Sequence, residues 1–365
     1  MHQNLGLPIF INGRFLSRQP TGVDRVGYEL VMAIDRLLIA GHPSVSGRRW
    51  VLLVPPDPVR LPALQHVECH VVGPFKGNLW EQLTLVWHSR GGLLVNLCNT
   101  FPLLKRRSAV MIHDVATRRV PQSYSKAFRL WYRVMMYWAM NHARLVLTVS
   151  QFSRGELTSF YGQRDIVVMP QGTDHFAALL ADPSVLAAHH LSNRPFVLAV
   201  GSLAPHKNFA TLIKAVEKIK SSGFDLVIAG GTNPKVFAES GQSLPHWVKY
   251  VGFVTDEQLK SLYQAAAAFV FPSIYEGYGL PPVEAMANGC PVICSRSASI
   301  PEACGSAAVY FDAGNPENIA QTVLNTLNDP HKLSDMRAAG FERTQPMTWD
   351  KAALELCFNL TRIKG

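Results

Sequence analysis

The chain has 365 residues, of which 17% are charged and 48% hydrophobic, enough apolar material for two cores and too much for a disordered chain. A formal net charge of +9 points to an anionic partner, and six scattered cysteines read as buried thiols of a reduced, cytoplasmic protein rather than a disulfide framework. No run approaches the ~18 uninterrupted apolar residues of a membrane-spanning helix, and Met1 to Phe10 lacks the basic and apolar regions of a signal peptide.

In chain order, strands are expected at Pro8–Ile11, Trp50–Val54, Leu93–Asn96, Ala109–Ile112 and Leu145–Val149, with a helix over Gly22–Ala40. Val167 to Gly172 reads as a last strand running into a linker, and 173–194 as a domain junction. The second half has a clearer rhythm. Phe196–Val200 is a β-rich run closed by Gly201, and a helical pattern covers Phe209–Lys220. Further strands are expected at Asp225–Ala229, Val248–Gly252, Ala268–Phe271 and Pro291–Cys294, with helices at Asp256–Ala266 and around Glu284–Ala287. Thr348 is placed to cap a final helix running to Ile363. Short, uniformly apolar strands alternating with helices signal parallel α/β sheets covered on both faces. Such sheets hold ligands beyond the carboxyl ends of their strands.

Charge is uneven along the chain. Residues 1–172 hold 20 Lys and Arg against 9 Asp and Glu, whereas residues 173–365 hold 15 against 17. The asymmetry fits either two domains with different tasks or a drift in composition. The basic half is dominated by Lys105-Arg106-Arg107, Arg118-Arg119 and the stretch Lys126–Arg144, where Trp131, Tyr132, Tyr137 and Trp138 mix with Arg129 and Arg133. That stretch reads either as a surface that docks on anionic lipid or as a buried helix with charged flanks.

The segment Pro272–Ala287 carries the densest chemistry: a strand end, a glycine-rich loop and a proline-started helix. Glycines let backbone approach a ligand closely, and the free amides of a helix start suit a phosphate. Glu276 and Glu284 bracket this loop. One carboxylate suits sugar hydroxyls and the other a ribose diol, although Glu284 alone also fits ordinary placement in a first helical turn. Lys207, after a strand and before a helix, is placed to offset an anion, or else is a solvated surface residue. His113 and Asp114 do not form a dyad, because adjacent side chains on an extended chain face opposite ways.

The Glu276-x7-Glu284 segment resembles the signature of the retaining glycosyltransferases of family 4. Gly201–Asn208, Tyr250–Val254, Ile112-His113-Asp114, Thr148–Ser153, Met169–Asp174 and Thr21–Arg25 resemble other segments of that family, in the same order. The resemblance implies the GT-B fold: two doubly wound Rossmann-like α/β domains facing across a cleft, with a C-terminal helix crossing back to the N-domain. The expected domains are 1–172 plus 348–365 for the acceptor and 173–347 for the nucleotide-sugar donor. It further implies Glu276, Lys207 and His113 as catalytic groups. Glu284 would bind the donor ribose, and Gly277, Tyr278, Gly279 and Leu280 would cradle sugar and phosphate. Gly22, Arg25, Ser202, His206, Val251 and Phe253 complete the implied donor site. Ser202 and His206 stand where many members have arginine; a protonated His206, or Arg25, would then supply the missing cation.

The implied function is transfer of a hexose from a nucleotide sugar, with GDP-mannose favoured, to a glycan or lipid-diphosphate-linked acceptor, as in bacterial exopolysaccharide or lipopolysaccharide assembly. The chain would lie on the inner face of the cytoplasmic membrane, against an anionic surface. Alternatives are a UDP-glucose-type donor, a sugar-nucleotide epimerase of the same architecture, or a basic nucleic-acid-binding protein; no recognised motif supports the last, and nucleic acid is not expected as a partner. No cofactor or metal is expected. The chain has no Asp-x-Asp pair, and Cys290 with Cys294 lacks the second pair of a structural zinc site.

Overall fold

The computed structural model describes residues 6–231 and 244–363; the first five residues of the N-terminal stretch lie outside them. The chain divides into two compact units, Met1–Val115 with Ser125–Gly172 and Thr348–Gly365, and Ala116–Tyr124 with Thr173–Met347. The first unit therefore differs from the expected 1–172 by the loss of residues 116–124. These lie against the turn Pro205–Lys207, where Ser123 Oγ is 3.2 Å from His206 Nδ1.

The first unit contains β1 (Gly6–Asn12), β2 (Arg48–Val54), β3 (Glu68–Val71), β4 (Leu93–Asn96), β5 (Ser108–Met111), β6 (Leu145–Thr148) and β7 (Ile166–Val168). They form one parallel sheet in the order β3-β2-β1-β4-β5-β6-β7. The second contains β8 (Phe196–Val200), β9 (Asp225–Ala229), β10 (Val248–Gly252), β11 (Ala268–Phe271), β12 (Val292–Ser295) and β13 (Ala308–Phe311), parallel in the order β10-β9-β8-β11-β12-β13. The central strands β4, β5, β11 and β12 are buried along their whole length, as their uniformly apolar or small residues require. β3 and β13 escape the sequence reading; both are edge strands and only partly buried, and β3 is also mixed in polarity.

Among the described residues, the helices of eight residues or more are α1 (Gly22–Ile39), α2 (Lys126–His142), α3 (Gln151–Tyr161), α4 (Phe209–Ile219), α5 (Asp256–Ala265), α6 (Leu280–Ala287), α7 (Pro316–Leu327), α8 (Pro330–Thr344) and α9 (Trp349–Thr361). α9 belongs to the first unit although the second precedes it in the chain. Thr348 caps it, its hydroxyl accepting from the Lys351 amide at 3.3 Å, and Trp349, Leu356 and Leu360 are buried. A side chain at Gly172 would meet Trp349 at 2.5 Å, so the chain leaves the first unit beside the point where it re-enters. Among the described residues no helix is long and apolar enough to cross a membrane.

Buried Asp35 on α1 accepts the amides of Gln65, His66 and Val67 at 2.7–2.9 Å and so fastens the approach to β3. Asp35→Ala strands these amides and should cost about 3 kcal/mol, read as a lower urea midpoint at unchanged m-value.

Candidate active site

In the second sheet the strand order reverses between β8 and β11. A doubly wound sheet opens a crevice at that point, because the connections on either side run to opposite faces. The loops leaving these two strands are Gly201–Asn208 and Pro272–Gly279. Asn208 joins them. It sits in the left-handed region at φ 59°, and its side-chain amide donates to the carbonyls of Pro272 at 3.2 Å and Ala313 at 2.8 Å. The Ile274 amide donates to the His206 carbonyl at 2.9 Å. This stitching brings Lys207 Nζ to 2.6 Å from Glu276 Oε1, with both side chains mostly buried. Two groups that the sequence assigned to separate contacts thus form one ion pair.

The glycine loop is held from below. The buried Ser299 hydroxyl lies 2.9 Å from the carbonyls of both Glu276 and Tyr278. Gly279 caps α6 at φ 105°, where a side chain would be strained, and prolines occupy the first turn. Glu284 follows within α6 and is buried. Its Oε1 lies 3.2 Å from His175 Nε2, and its Oε2 accepts from Tyr263 at 3.4 Å. Tyr263 is itself locked edge-on between Phe176 and Phe269. The Tyr263 contact and the burial of the side chain limit the directions that this carboxylate can take. Leu280 and Val251 are buried, Ser202 is exposed, and the Phe253 ring stands largely exposed just past β10. Burial pushes the Tyr278 hydroxyl up to about 12. Gly277 lies in the loop between Glu276 and Tyr278.

His206 differs from expectation. Burial and the neighbouring Lys207 push it down to about 4, so near neutral pH it is uncharged and does not replace an absent arginine in this structure.

Gly22, Arg25 and His113 lie in the first unit. Gly22 opens α1, and Asp24 closes a capping box by accepting the Thr21 amide at 3.0 Å and hydroxyl at 2.7 Å. Arg25 lies 3.7 Å from Glu29, one turn further on. His113 is buried just past β5. Its Nε2 lies 2.7 Å from the Leu97 carbonyl, which can only accept, so Nε2 carries the proton and Nδ1 is left as an acceptor. Asn99 accepts the His113 amide at 2.6 Å and the Ser153 hydroxyl donates to its carbonyl at 2.8 Å, so the backbone is held on both sides. Burial pushes the imidazole down to about 4.

The sequence reading gave no role to Asn208, His175, Tyr263 and Ser299, and none to a polar network where the first sheet reverses, between β1 and β4. There Asn12 donates to Asn96 at 3.0 Å and to Thr100 at 3.1 Å, beside Arg18, which is paired with Asp24 at 2.6 Å. Single polar residues scattered over several loops leave no local pattern to detect. Among the described residues no cluster of His, Cys, Asp and Glu could hold a metal ion.

Two family models match the chain: "Glycosyltransferase Family 4" over residues 46–176 and "Glycosyl transferases group 1" over residues 187–343. O-antigen chain mannosyltransferase B of Escherichia coli is 29% identical over 262 residues, 68% of each chain. A GDP-mannose-dependent alpha-(1-6)-phosphatidylinositol monomannoside mannosyltransferase of Mycobacterium tuberculosis is 30% identical over 58% of this chain and 60% of its own. The solved structure of a sucrose-phosphate synthase from Thermosynechococcus elongatus shares the fold, with a TM-score of 0.73 at 20% identity over 98% of both chains.

The two neutral histidines set a pH dependence. An unfolded imidazole titrates near 6.5, whereas His113 and His206 titrate near 4 in the native chain. Below pH 6.5 the unfolded state binds protons that the native state refuses, so stability present above 6.5 is lost as the pH falls toward 4. The urea midpoint should drop between pH 7.5 and 5, with His113 contributing about 2 kcal/mol. In His113→Gln the slope should be visibly shallower.

Proposed function

The chain belongs to the family 4 and group 1 glycosyltransferases, and we propose on that basis that it moves mannose from GDP-mannose, with retention, to a lipid-linked or polysaccharide acceptor. The observation that carries this reading is the Lys207–Glu276 pair at the switch point of the second sheet, with the buried Glu284 on the next helix. The two relatives, both mannosyltransferases and one GDP-mannose-dependent, favour the donor. A UDP-glucose-type donor is the alternative, with an epimerase of the same architecture behind it.

In this reading Glu284 binds the ribose diol and Phe253 lies against the base. Lys207 turns from Glu276 to the diphosphate as the donor enters, and Glu276 is released to the hydroxyls of the transferred sugar. Gly277, Tyr278, Gly279 and Leu280 supply backbone around sugar and phosphate. The bond between C1 and the diphosphate oxygen breaks with its electron pair on the diphosphate, and the acceptor oxygen bonds to C1 on the same face. The acceptor proton passes to the departing phosphate. The Lys207 ammonium, once turned to the diphosphate, stabilises the charge that grows there, and this reading requires no divalent ion. Neutral His113 offers Nδ1 to a sugar hydroxyl and does not act as a general base. Arg25 is the remaining candidate for a second cation. The first unit takes the acceptor, at the inner face of the cytoplasmic membrane, where its basic surface meets anionic lipid.

GDP-mannose should raise the melting temperature more than UDP-glucose does, since a ligand that binds only the native state stabilises it, and Glu284→Ala should abolish that rise. Stabilisation by UDP-glucose alone would move the donor assignment. Lys207→Ala should lower kcat by about 10²–10³-fold, with the rate of the unaltered enzyme unchanged by a chelator. Epimerised free nucleotide sugar, formed without any acceptor product, would replace transfer by epimerisation.

A further inference from the structure

The first unit exposes a second apolar stripe that the sequence reading passed over. Residues 77–88 form one helical run widened at Trp80–Thr84 into a π-type turn. Trp80, Glu81, Thr84 and Leu85 face inward and are buried, with Trp80 donating to the Val72 carbonyl at 2.8 Å. Leu79, Leu83 and Trp87 therefore share the outer face, and the Trp87 residue is 63% exposed. Arg90 lies 4.2 Å over the Trp87 ring.

This run is tied to α2 through one residue. Gln82 Oε1 accepts the Leu103 amide at 2.9 Å, and Trp138 of α2 donates to the Leu103 carbonyl at 2.7 Å. The next residue, Leu104, is 77% exposed and is followed by exposed Arg106 and Arg107. On α2, Leu130, Val134 and Tyr137 recur at helical spacing on the outer face, beside exposed Arg129 and Arg133. From Lys76 to His113 the only acid is buried Glu81, and from Val115 to Gly155 there is none.

We propose that the helical run 77–88, the loop 102–107 and α2 together form one docking face for an anionic phospholipid bilayer. This rests on the membrane reading above and adds its second helix. Outward leucines, a tryptophan and a tyrosine flanked by arginines suit the boundary between acyl chains and headgroups. The cations face no exposed acid within these segments and are left for lipid phosphates, each adding attraction near the surface. A symmetric pair of this chain through the same face would set arginine against arginine, which disfavours a second copy as the occupant.

The test sediments the full-length chain with vesicles of phosphatidylglycerol or phosphatidylcholine. Binding should be confined to phosphatidylglycerol, weaken with salt, and fall about tenfold in L83S/W87A, while the donor-induced melting shift stays as in the parent. The charge variant R106Q/R107Q, which leaves the apolar stripe intact, should weaken binding and flatten its salt dependence. Full binding by L83S/W87A with binding lost in L130S/V134S would overturn the two-helix face and leave the membrane reading standing. Absence of binding by the parent chain would overturn both. Equal binding to phosphatidylcholine, or a vesicle-free dimer that L83S/W87A dissolves, would overturn this proposal.

Discussion

An ammonium and a carboxylate 2.6 Å apart, Lys207 and Glu276, stand where the second sheet reverses its strand order. Neither would sit so far out of water alone, because an unpaired charge there is costly. Each makes the other tolerable. The surrounding hydrogen bonds serve that geometry: Asn208 joins the two loops, Ser299 holds the glycine turn, and Ile274 is bonded to the His206 carbonyl. The reversal comes from topology, and the chemistry from what the two loops present there.

Burial decides protonation at the histidines. His113 and His206 are both neutral because desolvation outweighs every nearby attraction. For His113 the Leu97 carbonyl also selects the tautomer, leaving one acceptor nitrogen on an otherwise immobile ring. Positive charge, by contrast, is abundant on the outside of the first unit, where Arg106, Arg107, Arg129 and Arg133 keep to solvent beside exposed leucines. The net charge therefore says little about the second half of the chain, where residues 173–365 hold 15 Lys and Arg against 17 Asp and Glu.

Much of the architecture was legible because local patterns carried it. The apolar runs of β4, β8, β9 and β11 cannot be left in water on either face, and the proline-started helix after Gly279 announces itself. The edge strand β3, with Glu68 and His70 in it, lacked that signal. The assignment of 116–124 to the first domain failed for a related reason: which unit a short segment joins is settled by its neighbours in space. A protonated His206 was a fair inference from chemistry alone, and its environment reversed it.

What the sequence by itself determined was the list of parts: two parallel α/β sheets, the glycine loop between Glu276 and Glu284, a lysine after β8, and an excess of cations before Gly172. These depend on spacing and composition, which survive without coordinates. Only the tertiary structure decided that Lys207 and Glu276 pair, that His175 and Tyr263 lie beside buried Glu284, and that Leu103 ties the outward stripe of 79–87 to α2. Such contacts join residues far apart in the chain, so no local period or motif encodes them; strand order and burial bring them within reach.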